Sequence, residues 1–465
     1  MVFSSLTFLL LFLPGLAITY FIIPKKYRLA RNIILLFWSV LFYAWGEPKF
    51  VFLILFSLLV TWGSSFWVVQ KKKWALLVGV LVNLLPLLLY KYLDFFIDNI
   101  NLIPGVEIPL TNLIMPIGIS FYTFQILTYV IDLYYGKVGL QKNPLYVALY
   151  IFLFPQLIAG PIVRYSTVEY DIENRNENWD DVSQGLRRFV VGLAKKVLIA
   201  NQAGLATRTI LAEDAHMIGS GMTWLCVFAF AIQIYFDFSG YSDMAIGMGR
   251  IFGFRFLENF EHPYVSKSIT EFWRRWHISL STFFRDYVYI PLGGNRVSNA
   301  RWLFNIMLTW FLTGFWHGAF WNYILWGLYY GVLLVLEKFV LGKVLKKIPA
   351  IIQWVYTFIL TLFGWAIFMT ETNKLSEIGS VFKKLFFASP VESSLTVKSL
   401  ELQPALLFII IGFILAFPWA EIFKLKGSES KLVYWMYDTG SVALYLASLV
   451  FLIAESFNPF IYFRF

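Results

Sequence analysis

Residues 305–333 read NIMLTWFLTGFWHGAFWNYILWGLYYGVL. Crossing a bilayer takes about 20 consecutive apolar residues as a helix, and this run, almost wholly apolar, supplies more than that, so it belongs inside a membrane. Near its middle stands Trp316-His317-Gly318. An ionisable side chain at membrane depth costs a few kcal/mol and normally faces an interior cavity where it has work to do. Gly314 and Gly318 flank His317 at the small-xxx-small spacing that lets a helix or a substrate chain approach the backbone closely. Two readings stand side by side: a tight helix crossing with a satisfied histidine, and a reactive group.

The rest of the chain has the same character. Of its 465 residues 59% are hydrophobic and only 14% charged, with a mean hydropathy of +0.68, which excludes a soluble globular protein. The length accommodates about 10–12 transmembrane helices in one integral domain, residues 1–465, giving an all-α polytopic fold. The net charge of +10 is gathered in short loops between apolar runs, where Lys and Arg set membrane orientation, so it does not read as a nucleic-acid footprint. A single cysteine, Cys226, excludes a disulfide framework, and the four histidines are scattered without ligand spacing, so no metal is expected.

Taken in order, Val2 to Ile23 reads as a retained first span with its N-terminus outside, because Lys25, Lys26, Arg28 and Arg31 follow at once. Asn32 to Trp45 and Phe50 to Val69 form a hairpin, Trp74 to Leu93 and Leu113 to Tyr135 two more crossings, and Leu145 to Ile162 a short or re-entrant segment ending at Gly160-Pro161. The polar stretch Arg164 to Asp181 leads to Arg188, Lys195 and Lys196, a basic face suited to phosphates or, more plainly, to solvent. Met222 to Phe238 is a span that ends where Asp237 and Asp243 begin, carboxylates that need ion partners or capping roles. Three further spans follow at Ile351 to Met369, Pro404 to Trp419 and Ser441 to Ala454, with basic loops at Lys343, Lys346, Lys347 and at Lys424, Lys426, Lys431.

Between these lies the most unusual segment, Glu258 to Arg301, too polar to span and too aromatic for an ordinary loop. It reads as re-entrant or interfacial. Arg274, Arg275 and Arg285 within it suit phosphate groups, and His277 is a second candidate acid or base. The plainer reading is an interfacial helix with an aromatic belt.

Several stretches together carry a resemblance: Asp237 to Asp243 (DFSGYSD), Glu271 to Ser281 (EFWRRWHISLS), Phe284 to Gly294 (FRDYVYIPLGG) and Trp316-His317-Gly318. In this order, across a motif-bearing core of residues 151–337, they resemble the membrane-bound O-acyltransferase family, nearest to its bacterial branch typified by the membrane subunit of alginate O-acetyltransferase. The length and the aromatic C-terminal tail fit that branch. The resemblance implies transmembrane, re-entrant and interfacial helices enclosing a central tunnel, with His317 as the catalytic histidine deep inside and His277 at the family's second polar position. It further implies no bound cofactor, acetyl-CoA or another acyl-CoA as donor on the cytoplasmic side, an extracytoplasmic acyltransferase partner, a polysaccharide acceptor, and residence among the lipids of a bacterial inner membrane.

Acyl transfer needs a base within reach of an acceptor hydroxyl, for which neutral His317 is suited, and a donor for the oxyanion, for which His277 or the amide of Asn322 is a candidate. Arg274, Arg275, Arg285 and Asn322 form the expected donor path. With room left beside His317 by its flanking glycines, a substrate chain can approach. A transporter or flippase also uses broken helices and buried charge, and a scaffold for the partner enzyme would tolerate loss of both histidines. Thioester cleavage that depends on His317 separates these classes.

Overall fold

The computed structural model describes residues 1–212, 218–387, 395–422 and 431–454, all as helices, turns and irregular segments with no strand among them. Among the described residues, eight helices are long and apolar enough to cross a membrane: α2 (Arg28–Gly46, after the shorter α1, Phe8–Phe21), α3 (Pro48–Val68), α4 (Lys73–Ile100), α9 (Trp179–Leu211), α10 (Ser220–Ile251), α14 (Trp321–Leu345), α15 (Ala350–Phe368) and α18 (Trp435–Ala454). Large apolar side chains such as Phe37, Phe52 and Val450 stand outward on them, as lipid-facing residues do. The protein is a multi-pass membrane protein.

The chain falls into two compact units. The first holds residues 1–192 and 241–257. Here the apolar stretch at the N-terminus forms a helix only over Phe8–Phe21, shorter than the expected span, and α5 begins at Ile119 (Ile119–Tyr135) rather than near Leu113. Pro116 and Gly118 explain the second difference: proline lacks the N–H a helix interior needs, and Gly118 takes a φ of +77° where a Cβ would strike the Leu157 carbonyl oxygen. Residues 144–157 give two short buried helices, α6 (Pro144–Phe152) and α7 (Phe154–Leu157), with α8 (Tyr165–Asn174) beyond, in keeping with a segment that does not cross.

Glu177, between α8 and α9, is the electrostatic centre of this unit. Arg28 donates to it at 2.6 Å, Arg31 lies 3.2 Å away and Arg175 3.4 Å, and the Tyr20 hydroxyl completes the cluster. Burial opposes ionisation of Glu177, but the hydrogen bonds from Arg28 and Tyr20 outweigh it and hold the carboxyl down at about 2. A carboxyl depressed from an unfolded value of about 4.3 adds stability that is complete above that pH and disappears as pH falls toward 2. We expect detergent-solubilised protein to lose about 2–3 kcal/mol over that window, and Glu177→Gln to remove most of the pH dependence of thermal unfolding there. An unchanged slope in the variant would show that Glu177 is not the titrating group.

Two long helices depart from the sequence expectation. Residues 179–211 form one continuous helix although the sequence reads as a polar flank to Lys196, and α10 runs on to Ile251 instead of ending at Phe238. Ion pairs account for both. Arg188 reaches Asp243 at 2.8 Å, and in the other unit Lys196 reaches Asp237 at 2.7 Å with both side chains almost wholly buried. Each charge that should have ended a span is neutralised by one on the facing helix.

The second unit holds residues 193–240 and everything after 257. Its centre is α13 (Asn299–His317) packed against α14, preceded by two short helices, α11 (Ile269–Arg275) and α12 (Ile278–Phe284). Helix α15 lies against α14, and α16 (Leu375–Phe387) against α15. The expected spans at 351–369 and 441–454 correspond to α15 and α18, and that at 404–419 to the end of α17 (Leu395–Leu415). Lys424, Lys426 and the aromatic tail after Ala454 lie outside the described residues.

Candidate active site

Helix α13 starts cleanly because the Ser298 hydroxyl accepts from the Arg301 N–H, and it ends at His317, where Gly318 turns extended. α14 then doubles back against it. The crossing is close because glycines face each other: a Cβ on Gly314 would meet the Tyr323 carbonyl oxygen and Gly327 Cα, and one on Gly327 would meet the Trp310 carbonyl oxygen. The space beside Gly318 is filled by the Tyr323 ring. The flanking glycines therefore do not leave room for a substrate chain; they let α14 and Tyr323 close on the histidine, so packing and function coexist at this stretch.

His317 is 1% exposed. Its ring sits edge-on to Trp326 (4.9 Å between centroids), Phe368 (5.2 Å) and Trp316 (5.0 Å). Asn322 secures one wall of this chamber. Its amide nitrogen donates to the Ile367 and Phe368 carbonyls at 3.3 and 3.0 Å and its oxygen accepts from the Thr372 N–H, tying the start of α14 to the end of α15. Both amide hydrogens being spent, Asn322 braces Phe368 against His317 and has no donor left for an oxyanion.

His277 joins α11 to α12 with φ +43°, a left-handed conformation uncommon outside glycine, and is likewise 1% exposed. Its ring lies 4.6 Å from Phe238 and 5.9 Å from Trp316. Trp316 thus touches both histidines, which are 40 positions apart in sequence but flank one indole. Around His277, the Asn259 oxygen lies 3.2 Å from Nδ1 and accepts from the Ser279 N–H and hydroxyl at 3.2 and 2.9 Å.

α11 is held by its own cap and by a distant carboxylate. Ser268 accepts from Glu271 N–H, while Glu337, at the far end of α14 and 5% exposed, accepts from the Ile269 and Thr270 N–H groups at 2.6 and 2.9 Å and from the Thr270 hydroxyl at 2.7 Å. Neither Asn259 nor Glu337 emerged from sequence reading, although Glu337 is a carboxylate closing a long apolar run and that alone marks it.

The three arginines part company. Arg275 pairs with Glu271 at 3.1 Å and donates to the Glu261 carbonyl, and Arg285 pairs with its neighbour Asp286 at 2.7 Å. Arg274 instead lines a cleft of about 650 Å³ together with Lys267, Lys338 and Lys346 over a floor that includes Ile306 and Leu334. Glu271 and Glu337 also border it, but the first is engaged by Arg275 and the second by α11, so the cleft presents a surplus of positive charge. Among the described residues no three His, Cys, Asp or Glu side chains gather as metal ligands.

Comparison with known proteins places this geometry. Residues 135–370, which contain both histidines, match the model of the membrane-bound O-acyltransferase family. Over the full length of both chains the sequence is 37% identical to a probable alginate O-acetylase AlgI of Pseudomonas syringae pv. tomato. It is 42% identical to the corresponding protein of Pseudomonas aeruginosa over 81% of this chain and 73% of that one. A peptidoglycan O-acetyltransferase of Helicobacter pylori is 32% identical over 100% of this chain and 98% of its own.

Proposed function

Since the chain belongs to the membrane-bound O-acyltransferase family and is a multi-pass O-acyltransferase, we propose that it passes an acetyl group from cytoplasmic acetyl-CoA across a bacterial inner membrane for O-acetylation of an extracytoplasmic polysaccharide, acting with a partner enzyme. The observation that carries this reading is the pair of buried histidines on either side of Trp316, in the stretch that matches the family. Acetylases of alginate and peptidoglycan among its relatives support a polysaccharide as the end point. The whole of residues 1–465 is assigned to this one activity.

In the proposed step His317 takes the proton of an acceptor hydroxyl as its oxygen attacks the thioester carbonyl. The C–S bond breaks, the acetyl group becomes an ester, and the coenzyme leaves as a thiolate that gains the proton. The apolar ring chamber excludes water, which would otherwise compete as acceptor.

The basic cleft suits the phosphates of the donor. Ile306 lies eleven residues before His317 on α13, roughly 16 Å at 1.5 Å per residue. The chain between a coenzyme A sulfur and its first phosphate has about 13 bonds, roughly 15 Å when extended at the reach of a polypeptide backbone. Trp273, Trp310 and Tyr330 pack together along that interval, with centroids 4.6 to 5.8 Å apart, so donor binding must part them.

Proteoliposomes supplied with labelled acetyl-CoA on one side and partner plus acceptor on the other test the reading: thioester cleavage coupled to labelling of the acceptor is expected, and movement of substrate without cleavage overturns it in favour of transport. In the same assay Arg274→Glu combined with Lys346→Glu is expected to raise the donor KM about tenfold or more, with kcat little changed. An unaltered KM would remove the cleft from the donor path.

A further inference from the structure

The contacts of Asn259 settle which nitrogen of His277 carries its proton. Histidine and asparagine side chains are each ambiguous alone, since imidazole has two tautomers and an amide can be turned over. Here a third group removes the ambiguity. The backbone N–H of Ser279 can only donate, and it lies 3.2 Å from the Asn259 side-chain atom that also faces His277 Nδ1 at 3.2 Å. That atom is therefore the amide oxygen, an acceptor, and the Ser279 hydroxyl donates to it at 2.9 Å as well. A bare Nδ1 would set two lone pairs against each other at hydrogen-bonding distance in a site where His277 and Asn259 are both almost wholly buried. A competing arrangement has the Ser279 hydroxyl donate to Nδ1, at 3.4 Å, and forfeits the shorter bond to Asn259.

We infer that Asn259 is a positioning residue that locks His277 as the Nδ1–H tautomer, so that His277 serves acyl transfer through Nε2 as a hydrogen-bond acceptor, the proton of the acceptor hydroxyl still passing to His317, and not as a donor to the oxyanion. This rests on the acyltransfer reading above for its consequence, but not for the tautomer itself. The backbone reinforces the lock: the Ile278 N–H donates to the Asn259 carbonyl at 3.0 Å, so residues 259 and 277–279 form one clasp, and the left-handed φ of His277 aims its side chain back into it. At metal-bound histidines, removing such an orienting partner costs roughly 10–100-fold in affinity or activity, and a loss of the same order is expected here.

The experiment has a spectroscopic and a kinetic arm. Protein labelled with ¹⁵N at histidine, with His277→Gln used to assign the signal, is expected to show His277 protonated at Nδ1 and bare at Nε2. Ser279→Ala should keep that pattern. Asn259→Ala should lose it while lowering kcat about 10–100-fold with KM little changed, and Asn259→Asp, whose carboxylate still accepts from Nδ1–H, should restore both signal and rate. A proton on Nε2 in the unmodified protein, or loss of the pattern in Ser279→Ala alone, overturns the inference and leaves the acyltransfer reading untouched. Full kcat in folded Asn259→Ala overturns the positioning role. Absence of any thioester cleavage by the unmodified protein defeats the acyltransfer reading instead, and the tautomer assignment stands.

Discussion

Replacing His317 by alanine is expected to lower acyl transfer by at least about 10²–10⁴-fold, the usual worth of a positioned general base, without preventing insertion or folding. The histidine is the last residue of α13, so its side chain is not needed to propagate the helix, and the close crossing with α14 is set by Gly314 and Gly327 rather than by the imidazole. Loss of the ring removes edge contacts with Trp316, Trp326 and Phe368 and leaves a cavity, which should lower thermal stability modestly. His317→Gln, closer in volume, separates the two effects: it should retain the stability and still lack the activity. Release of coenzyme A thiol and labelling of acceptor, measured on protein shown to be monodisperse, report the outcome. Transfer at the unmodified rate by either variant would remove His317 from the chemistry.

The largest expected effect on stability is at the Lys196–Asp237 pair. The two side chains are about 3% and 2% exposed and their charged atoms are 2.7 Å apart. Removing one partner leaves the other's buried charge without this counter-charge, at a cost of about 3–5 kcal/mol, so Asp237→Leu or Lys196→Met alone should give little folded protein. Removing both together takes away the desolvation penalty along with the attraction and should recover most of the loss, since buried pairs replaced by apolar residues of similar volume are often near neutral. The yield of monodisperse folded protein from the singles and the double in detergent reads the coupling between them. If the double variant is as damaged as the worse single, the pair does more than neutralise itself.

These ion pairs also show why some of the fold was hidden from the sequence. The apolar runs of α3, α14 and α15 identify themselves by composition, and the motif residues around His277 and His317 stand out as polar groups where none should be. Residues 179–211 and 220–251 do not, because Arg188, Lys196, Asp237 and Asp243 read as places where a span must stop. Only the facing helix shows that each has its counter-charge. The sorting of the arginines was hidden for a related reason: all three are equally suited to phosphate by chemistry, and it is the neighbours Glu271 and Asp286 that occupy two of them. The glycines beside His317 were legible as a close approach but not as to what approaches. Asn259 was illegible altogether, since an asparagine 18 residues from its histidine carries no periodic signal.

The carboxylate that holds α11 has a further consequence, in the order of events during synthesis. Glu337 follows Ile269 by 68 residues, which a ribosome takes roughly 3 to 14 s to add at 5–20 residues per second. Throughout that interval the Ile269 and Thr270 N–H groups lack the acceptor that later satisfies them, and hydrocarbon charges several kcal/mol for each such group. The segment bearing His277 must therefore wait where water can reach it and settle only after the end of α14 has been made. The two histidines are brought to one tryptophan as a late act of assembly, and a nascent chain truncated before Glu337 is expected to insert its earlier helices while leaving the histidine at 277 accessible to water-soluble reagents.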